Sequence, residues 1–285
     1  MTLHLRAAST SVVLDLPADR FPVVRHWGAD LGDLPADALE DAGTAGAASV
    51  GTNTAWITND LPVLPLPHLG WSARPAVGLH RADGTVVGAH VDHVTHEVTH
   101  LDDGATEVVS TGTGAVDALR LTTCIRLEAT GLLRLRASVT DTRSGDDLAP
   151  LLVDEVTPVL PVPADSDELL DMTGHHGHER NLVRTPFTPG TRLRESWEGR
   201  PGHDATTWVI AGRSGFGWRS GTVHGVHVAW SGNTRSLAEN LPHGRRLLGG
   251  GELLAPGEVV LGEGQTYTSP WLVASWGQGL DDLAS

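Results

Sequence analysis

Apolar and polar residues alternate with a period of two over much of the chain. The alternation is clearest in LRLTTCIRL (119–127), and it recurs in LRLRASVT (133–140) after the short connection Ala129-Thr130-Gly131. Because residues two apart lie on the same face of a strand, these two segments predict a β-hairpin. One face of the hairpin carries leucines and is expected to be buried, whereas the other carries arginines and faces solvent.

The remaining pattern predicts further short strands and almost no helix. The 17 prolines and 34 glycines disfavour long helices, and only residues 33–45 show a helix-like stretch. Clusters of Gly, Pro, Asn and Asp, such as Ala82-Asp83-Gly84, separate the alternating segments and predict turns. These features indicate an all-β protein, a large two-sheet antiparallel sandwich that residues 1–285 form as a single domain. Further strands are expected at 2–7, 10–16, 22–27, 84–98, 105–110, 151–159, 205–211, 223–230 and 265–275.

Three segments are predicted to lie outside the strands. Residues 33–70 are expected to leave the sheets as a long excursion, because its Ala-, Gly- and Pro-rich second half does not suit a central strand. A second long loop is expected over 170–205, and long loops in compact domains are often functional. The glycine run at 249–251 is interpreted as a turn between strands.

Composition and charge narrow the classes of function. The net charge of −15 disfavours nucleic acid, a polyanion that this charge repels. All 20 basic residues are arginine, which excludes Schiff-base chemistry on a lysine, and no cofactor is expected. No apolar run is long enough to cross a membrane, and the start of the sequence does not resemble a secretory signal. A single cysteine, Cys124, suits a reducing compartment, so we expect the cytoplasm.

The segment HEVTH at 96–100 matches the HExxH pattern of zinc proteases. In those enzymes the two histidines lie one helical turn apart and bind the same metal ion. Here the surrounding residues are β-branched and favour a strand, in which the two histidines would be roughly 13 Å apart. We therefore interpret the segment as a polar strand face on which His93, Glu97 and Thr99 meet water.

Other patterns that suggest chemistry are weaker. The histidines of GHHGHERN (174–181) could bind divalent ions, but contact with a polar group is the preferred interpretation and no metal site is predicted. Ser214 is predicted to occupy a turn, because its surroundings lack the last glycine of a nucleophile elbow. No local signal selects a pair of carboxylates that could act on a sugar.

Nine tryptophans stand against one tyrosine and three phenylalanines. An indole ring can stack on a sugar while its N–H donates a hydrogen bond to a hydroxyl. Trp208 and Trp230 fall in alternating segments and are expected in the core. Trp56 and Trp71 lie in the proline-rich excursion and are the better candidates for exposed contact.

Six segments together carry the pattern of one enzyme family. The segments are HWGADLG (26–32), ASVTDT (137–142), PLLVDEVTPVLPVP (150–163), LLDMTGHHGHERNLVRTPFTPGTRLRESWEGRPGHD (169–204), VHVAWSGN (226–233) and RRLLGGGELLAPGEVVLGEGQTYTSPWLVASWGQGL (245–280). In their order and spacing they resemble the N-terminal domain of glycoside hydrolase family 36 α-galactosidases, most specifically from residue 130 onward.

The resemblance implies both a fold and a division of labour. The domain in that family is a β-supersandwich that packs against a (β/α)8 barrel, here expected downstream or separately encoded. The barrel carries the catalytic aspartates, one of them in a Lys-Trp-Asp motif that this lysine-free chain lacks. The full enzyme is expected to hydrolyse terminal α-1,6-galactosides such as melibiose or raffinose. This chain is expected to supply packing, contacts within a homo-oligomer and loops on the substrate side, without catalysis.

The resemblance also implies candidate site residues. The family loop Gly-x-Trp-Gly-Arg-Glu-Arg corresponds to residues 174–180, where His176 takes the tryptophan position and His178 the first arginine position. Glu179 and Arg180 match the family pattern. The substitution removes stacking by tryptophan, although an imidazole can still hydrogen-bond a hydroxyl. A second loop carries an acidic substrate contact in some members, and its candidates here are Asn53, Trp56 and Asp60.

Two alternatives remain open. A stand-alone carbohydrate-binding β-sandwich would bind galactosides without hydrolysing them. A zinc hydrolase would retain metal in a stoichiometric amount.

Overall fold

The computed structural model describes residues 1–45, 60–71, 73–114, 116–145, 149–205, 208–241 and 244–285. Within these ranges the chain forms 21 strands and two α-helices, α1 (Ala36–Ala45) and α2 (Leu280–Leu283), with a 3₁₀ turn at Pro67–Leu69. The strands are β1 (Thr2–Ala7), β2 (Thr10–Asp15), β3 (Val23–Ala29), β4 (Val77–Arg81), β5 (Val86–Val87), β6 (His93–His100), β7 (Thr106–Gly114), β8 (Leu119–Leu127), β9 (Leu133–Asp141), β10 (Leu151–Val156), β11 (Val159–Val162), β12 (Glu168–His175), β13 (His178–Pro186), β14 (Gly190–Ser196), β15 (Trp208–Gly212), β16 (Thr222–Ala229), β17 (Thr234–Asn240), β18 (Arg246–Glu252), β19 (Val259–Leu261), β20 (Thr266–Thr268) and β21 (Trp271–Gln278).

A ten-stranded antiparallel sheet forms the largest layer. Its strands follow the order β13-β12-β15-β16-β21-β9-β8-β7-β6, and β20 pairs with β9. Two four-stranded sheets, β11-β18-β17-β14 and β19-β10-β4-β5, pack against it through contacts of β18 with β16 and of β10 with β9. The three-stranded sheet β1-β2-β3 joins the same core. The predicted all-β sandwich is confirmed, with the layers divided into four hydrogen-bonded sheets.

The hairpin predicted from the alternation is formed by β8 and β9. The two strands pair continuously from Leu119 opposite Asp141 to Leu127 opposite Leu133. The leucines and Ile125 of its inner face are fully buried, whereas the arginines point to the other face. Burial of each such side chain stabilises the fold by about 1.5–3 kcal/mol, so this hairpin is a major part of the core.

Residues 170–205 do not form the predicted structureless loop. They contain most of β12 and all of β13 and β14. The strand β13 lies at the edge of the ten-stranded sheet, and its residues are exposed or half-buried along its whole length. An edge strand that is exposed to solvent on both faces does not show the alternation of apolar and polar residues that a half-buried strand shows. The period-two pattern was therefore missing in β13.

The run Gly249-Gly250-Gly251 is also not the predicted turn, because it lies inside β18. A Cβ atom at Gly250 would be 2.5 Å from Cγ2 of Val228, and one at Gly251 would be 2.5 Å from the carbonyl oxygen of Val156. These glycines therefore allow neighbouring strands to approach closely in the core, a use of glycine that resembles a turn signal in the sequence.

The segment 33–70, predicted as an excursion, contains both a helix and a stretch of core residues. The helix-like stretch forms α1, but residues 61–66 return to the core, where Val63 and Leu64 are fully buried. The backbone N–H of Val63 donates to the carbonyl of Pro22, 2.9 Å away, which ties this segment to the start of β3. No helix among the described residues is long and apolar enough to span a membrane.

Candidate functional site

The strands β12 and β13 form a hairpin that ends in a polar tip. His175 and His178 are the last pair of the register, and the connection between them is His176-Gly177. Gly177 has φ 80°, a left-handed conformation that favours glycine. The register shifts before His175, so the hairpin carries a bulge close to its tip. Bulges of this kind redirect side chains and are common beside functional sites.

The structure brings four predicted site residues together at this tip. His176, His178, Glu179 and Arg180 are all exposed, and the His176 side chain is solvated on every side. The Glu179 carboxylate accepts a hydrogen bond from the Gly177 N–H at 2.7 Å and lies 3.8 Å from the His176 imidazole. The hydrogen bond from Gly177 lowers the pKa of Glu179 below its ordinary value. The tip therefore presents a charged carboxylate, imidazoles and a guanidinium, all capable of bonding sugar hydroxyls.

Asp60, the fifth predicted site residue that the structure describes, has different partners. Its carboxylate pairs with Arg25 at 2.8 Å and with Arg20 at 3.4 Å, and Arg25 also binds Asp15. The side chain of Asp60 is half-buried in this cluster beside β3. These contacts anchor Asp60 against the small sheet, not against the hairpin tip. The other two candidates, Asn53 and Trp56, lie outside the described residues.

The HExxH segment lies in β6, as predicted. The His96 ring contacts the Ser110 hydroxyl at 2.8 Å and the Pro17 carbonyl at 2.7 Å, whereas His100 contacts the Thr106 hydroxyl. Each histidine thus has its own partners, and a shared zinc of the protease type does not fit. Across the described ranges, no group of three or more His, Cys, Asp or Glu side chains is arranged to hold a metal ion.

Two of the tryptophan assignments are wrong. Trp71 is buried, and its indole N–H donates to the Arg74 carbonyl at 2.9 Å, because the proline-rich segment folds back over a satellite of the core. Trp230 is 41% exposed, because β16 ends one residue earlier and the alternation runs past the strand. Trp197 and Trp218 are also exposed and were missed, since neither lies in a recognisable pattern.

The described surface includes an apolar pocket and a more polar one. An apolar pocket of about 380 Å³ lies on the outer face of the large sheet, between Trp208, Trp218 and the side chains of α2. A more polar pocket of about 520 Å³ lies beside β3 and includes Arg25, His224 and Arg245. Neither pocket contains the hairpin tip.

The fold is thus an antiparallel β-supersandwich whose edge hairpin carries a cluster of sugar-compatible polar groups. Residues 20–262 match the model of the glycosyl hydrolase family 36 N-terminal domain, and the chain belongs to this family.

Known proteins support the same assignment. The α-galactosidase of Escherichia coli is 31% identical over 164 residues, which are 58% of this chain and 23% of that protein. The bifunctional α-galactosidase/sucrose kinase AgaSK of Mediterraneibacter gnavus is 33% identical over 120 residues, 41% of this chain and 13% of that protein. The crystal structure of α-galactosidase AgaA from Geobacillus stearothermophilus has a TM-score of 0.82 at 18% identity, and covers 100% of this chain. The chain spans 42% of AgaA, so it corresponds to less than half of each of these relatives.

Proposed function

We propose that this chain is the N-terminal domain of an α-galactosidase that hydrolyses terminal α-1,6-galactosides such as melibiose or raffinose. The observation that carries the proposal is the family match over residues 20–262. Variants of the structurally similar AgaA have been crystallised with raffinose and with stachyose, which supports this substrate class. In this proposal the complete enzyme also contains a (β/α)8 barrel, forms a homo-oligomer and acts in the cytoplasm.

The proposed role of the hairpin tip is to contact the substrate at the active site of the barrel. Glu179 and Arg180 provide a hydrogen-bond acceptor and a set of donors, and His176 and His178 add imidazole nitrogens. The bulge and the turn at Gly177 fix the backbone positions from which these side chains project. Asp60 is a second proposed contact, and its two arginine partners would hold its carboxylate in one orientation.

No catalytic step is assigned to this chain. Retaining hydrolysis of a glycoside needs a carboxylate nucleophile and a carboxylic acid about 5 Å apart across the scissile bond. No local sequence pattern in the chain selects such a pair, and the chain contains no lysine for the barrel motif. Its contribution is binding and assembly, and the barrel supplies the nucleophile and the acid.

A domain replacement tests the proposed function. Residues 1–285 would replace the corresponding part of Geobacillus AgaA, and raffinose hydrolysis would be compared with that of the AgaA barrel without any N-terminal domain. We expect the chimera to be more active than the barrel alone. We also expect Glu179→Gln and Arg180→Gln to raise KM more than they lower kcat, since they remove binding that is uniform along the reaction.

The matched control is Arg213→Gln, which changes an exposed arginine in the turn after β15. It should leave both kinetic constants unchanged. A folded chimera no more active than the isolated barrel would contradict the proposed function. If neither Glu179→Gln nor Arg180→Gln changed the KM of the chimera, the proposed role of the hairpin would be contradicted.

One observation favours a second candidate function, a stand-alone carbohydrate-binding sandwich. Trp197 and Trp230 are exposed in two loops at the same end of the structure, and the Gly199 N–H donates to the Asn233 side chain at 2.7 Å to join these loops. Exposed indoles on a fixed platform suit stacking on sugar rings.

Calorimetric titration of the chain with galactose and raffinose distinguishes the two functions. Binding that Trp197→Ala or Trp230→Ala removes, and that the exposed Trp218→Ala leaves intact, would support the carbohydrate-binding sandwich. Flat titrations with the wild-type chain would exclude it.

A further inference from the structure

Two imidazole rings face each other across the tip of the β12–β13 hairpin. His175 and His178 are directly opposite in the register, and both side chains are exposed. Their ring centroids are 5.6 Å apart, and the ring planes are inclined by 38°. The sequence alone could not show this pairing, because it depends on the two-residue connection and on the strand register.

The separation of the rings matches the geometry of a shared metal ion. Zinc binds imidazole nitrogens at about 2.1 Å with tetrahedral angles, which places the centroids of two ligating rings about 5 Å apart. The observed separation is within rotamer adjustment of that value. Directly opposed residues on antiparallel strands have Cβ atoms about 5 Å apart, which is why such pairs can converge on one ion.

The hydrogen bonding of His175 leaves a nitrogen available for a metal. Its Nδ1 lies 2.9 Å from the backbone carbonyl oxygen of His176. A carbonyl oxygen only accepts, so Nδ1 carries the proton and Nε2 of the neutral ring carries the free lone pair. A second partner on the other ring nitrogen is the usual way in which proteins orient a metal-binding histidine.

The electrostatic surroundings favour a cation over an anion. The carboxylate of Glu179 is one residue beyond His178, and the chain as a whole has a net charge of −15. Arg180, which follows Glu179 in the sequence, is the neighbouring cationic side chain. Imidazole is a preferred ligand of zinc, nickel and copper, whereas magnesium and calcium prefer oxygen.

We propose that His175 and His178 form a two-histidine site for a divalent transition-metal ion such as Zn²⁺, which joins β12 to β13 at the hairpin tip. Water completes the coordination, so the site differs from the sets of three or more side chains that the described residues lack. The bound ion fixes the end of an exposed edge hairpin. This inference does not depend on the proposed α-galactosidase function.

Titration of the chain with zinc chloride and with nickel chloride tests the proposal. We expect one ion per chain at the hairpin, and a Kd that His175→Gln or His178→Gln each weakens by about tenfold or more, because one of two ligands is lost. Removing both histidines should abolish binding at the hairpin tip, since no imidazole ligand of the pair then remains.

The matched control is His176→Gln, which removes a histidine from the same hairpin and leaves the pair intact. It should change the Kd by less than about twofold and keep the rise in melting temperature that zinc produces by binding the folded chain. Equal weakening by all three single substitutions would overturn the proposal, because it would indicate diffuse binding to a histidine-rich segment. Absence of zinc binding by the wild-type chain would overturn it as well.

Discussion

At the residue scale, His224 shows how burial sets the charge of a side chain in this fold. It is 4% exposed, its ring packs edge-on against Trp27 at 4.7 Å, and its Nε2 lies 3.1 Å from the Trp27 carbonyl oxygen. The carbonyl accepts, so Nε2 carries the proton of a neutral ring. Desolvation by burial lowers the pKa of His224 to about 4, and the ring is therefore neutral at physiological pH.

This pKa predicts a loss of stability in mild acid. The unfolded chain protonates His224 near its ordinary pKa of 6.5, whereas the folded chain does so only near 4. Between these values the unfolded state binds more protons, so the free energy of unfolding falls as pH falls, by up to about 3 kcal/mol. Urea unfolding at pH 7 and pH 4.5 measures the change.

The variant His224→Gln isolates this contribution, because glutamine keeps a donor for the Trp27 carbonyl and does not titrate. Its stability should fall less over the same pH interval than that of the wild-type chain. Identical pH dependence in the two proteins would contradict the assignment.

At the element scale, the sequence predicted best the strands in which apolar and polar residues alternate clearly, and it missed several others, among them β4. The β8–β9 hairpin was predicted almost residue for residue, because its leucines alternate with arginines and threonines. The strand β13 was missed because neither face of this edge strand is buried. The strand β18 was missed because its glycines resemble a turn signal. The tip residues were found through the family resemblance, but their arrangement as a hairpin required the register.

The glycines of β18 give a prediction about strand packing. In Gly251→Ala the new methyl group would lie 2.5 Å from the Val156 carbonyl oxygen, so we expect a loss of about 1–3 kcal/mol in the free energy of unfolding. In Gly88→Ala the nearest atom outside the adjacent residues is 4.0 Å away, and stability should change by less than about 0.5 kcal/mol. Chemical denaturation compares the two, and equal losses would be inconsistent with close strand approach.

A buried ion pair joins two of the sheets and gives a second prediction at this scale. Arg81 of β4 and Asp141 of β9 are 3.0 Å apart, with side chains 4% and 0% exposed. Asp141→Ala should cost about 3–5 kcal/mol, because it leaves a buried guanidinium without its carboxylate. The exposed Arg219–Asp281 pair is the control, and Asp281→Ala should have little measurable effect. Thermal unfolding that ranks the two variants equally would contradict this account.

At the scale of the whole molecule, the chain is a family 36 N-terminal domain that corresponds to less than half of the α-galactosidases named above. Composition and alternation were sufficient to predict an all-β sandwich, since they report burial. They could not predict which part of the surface is used for contacts, because exposed residues such as Trp197 and Trp218 follow no period. We propose that the surface serves assembly and substrate contact, and that the chemistry belongs to the barrel.

The most direct test of this division is the hydrolysis of a chromogenic α-galactoside by the purified chain alone. We predict no release of chromophore above the buffer rate. Turnover with a kcat in the ordinary enzymatic range, about 1 s⁻¹ or faster, would show that these residues contain a catalytic site and would contradict the proposal.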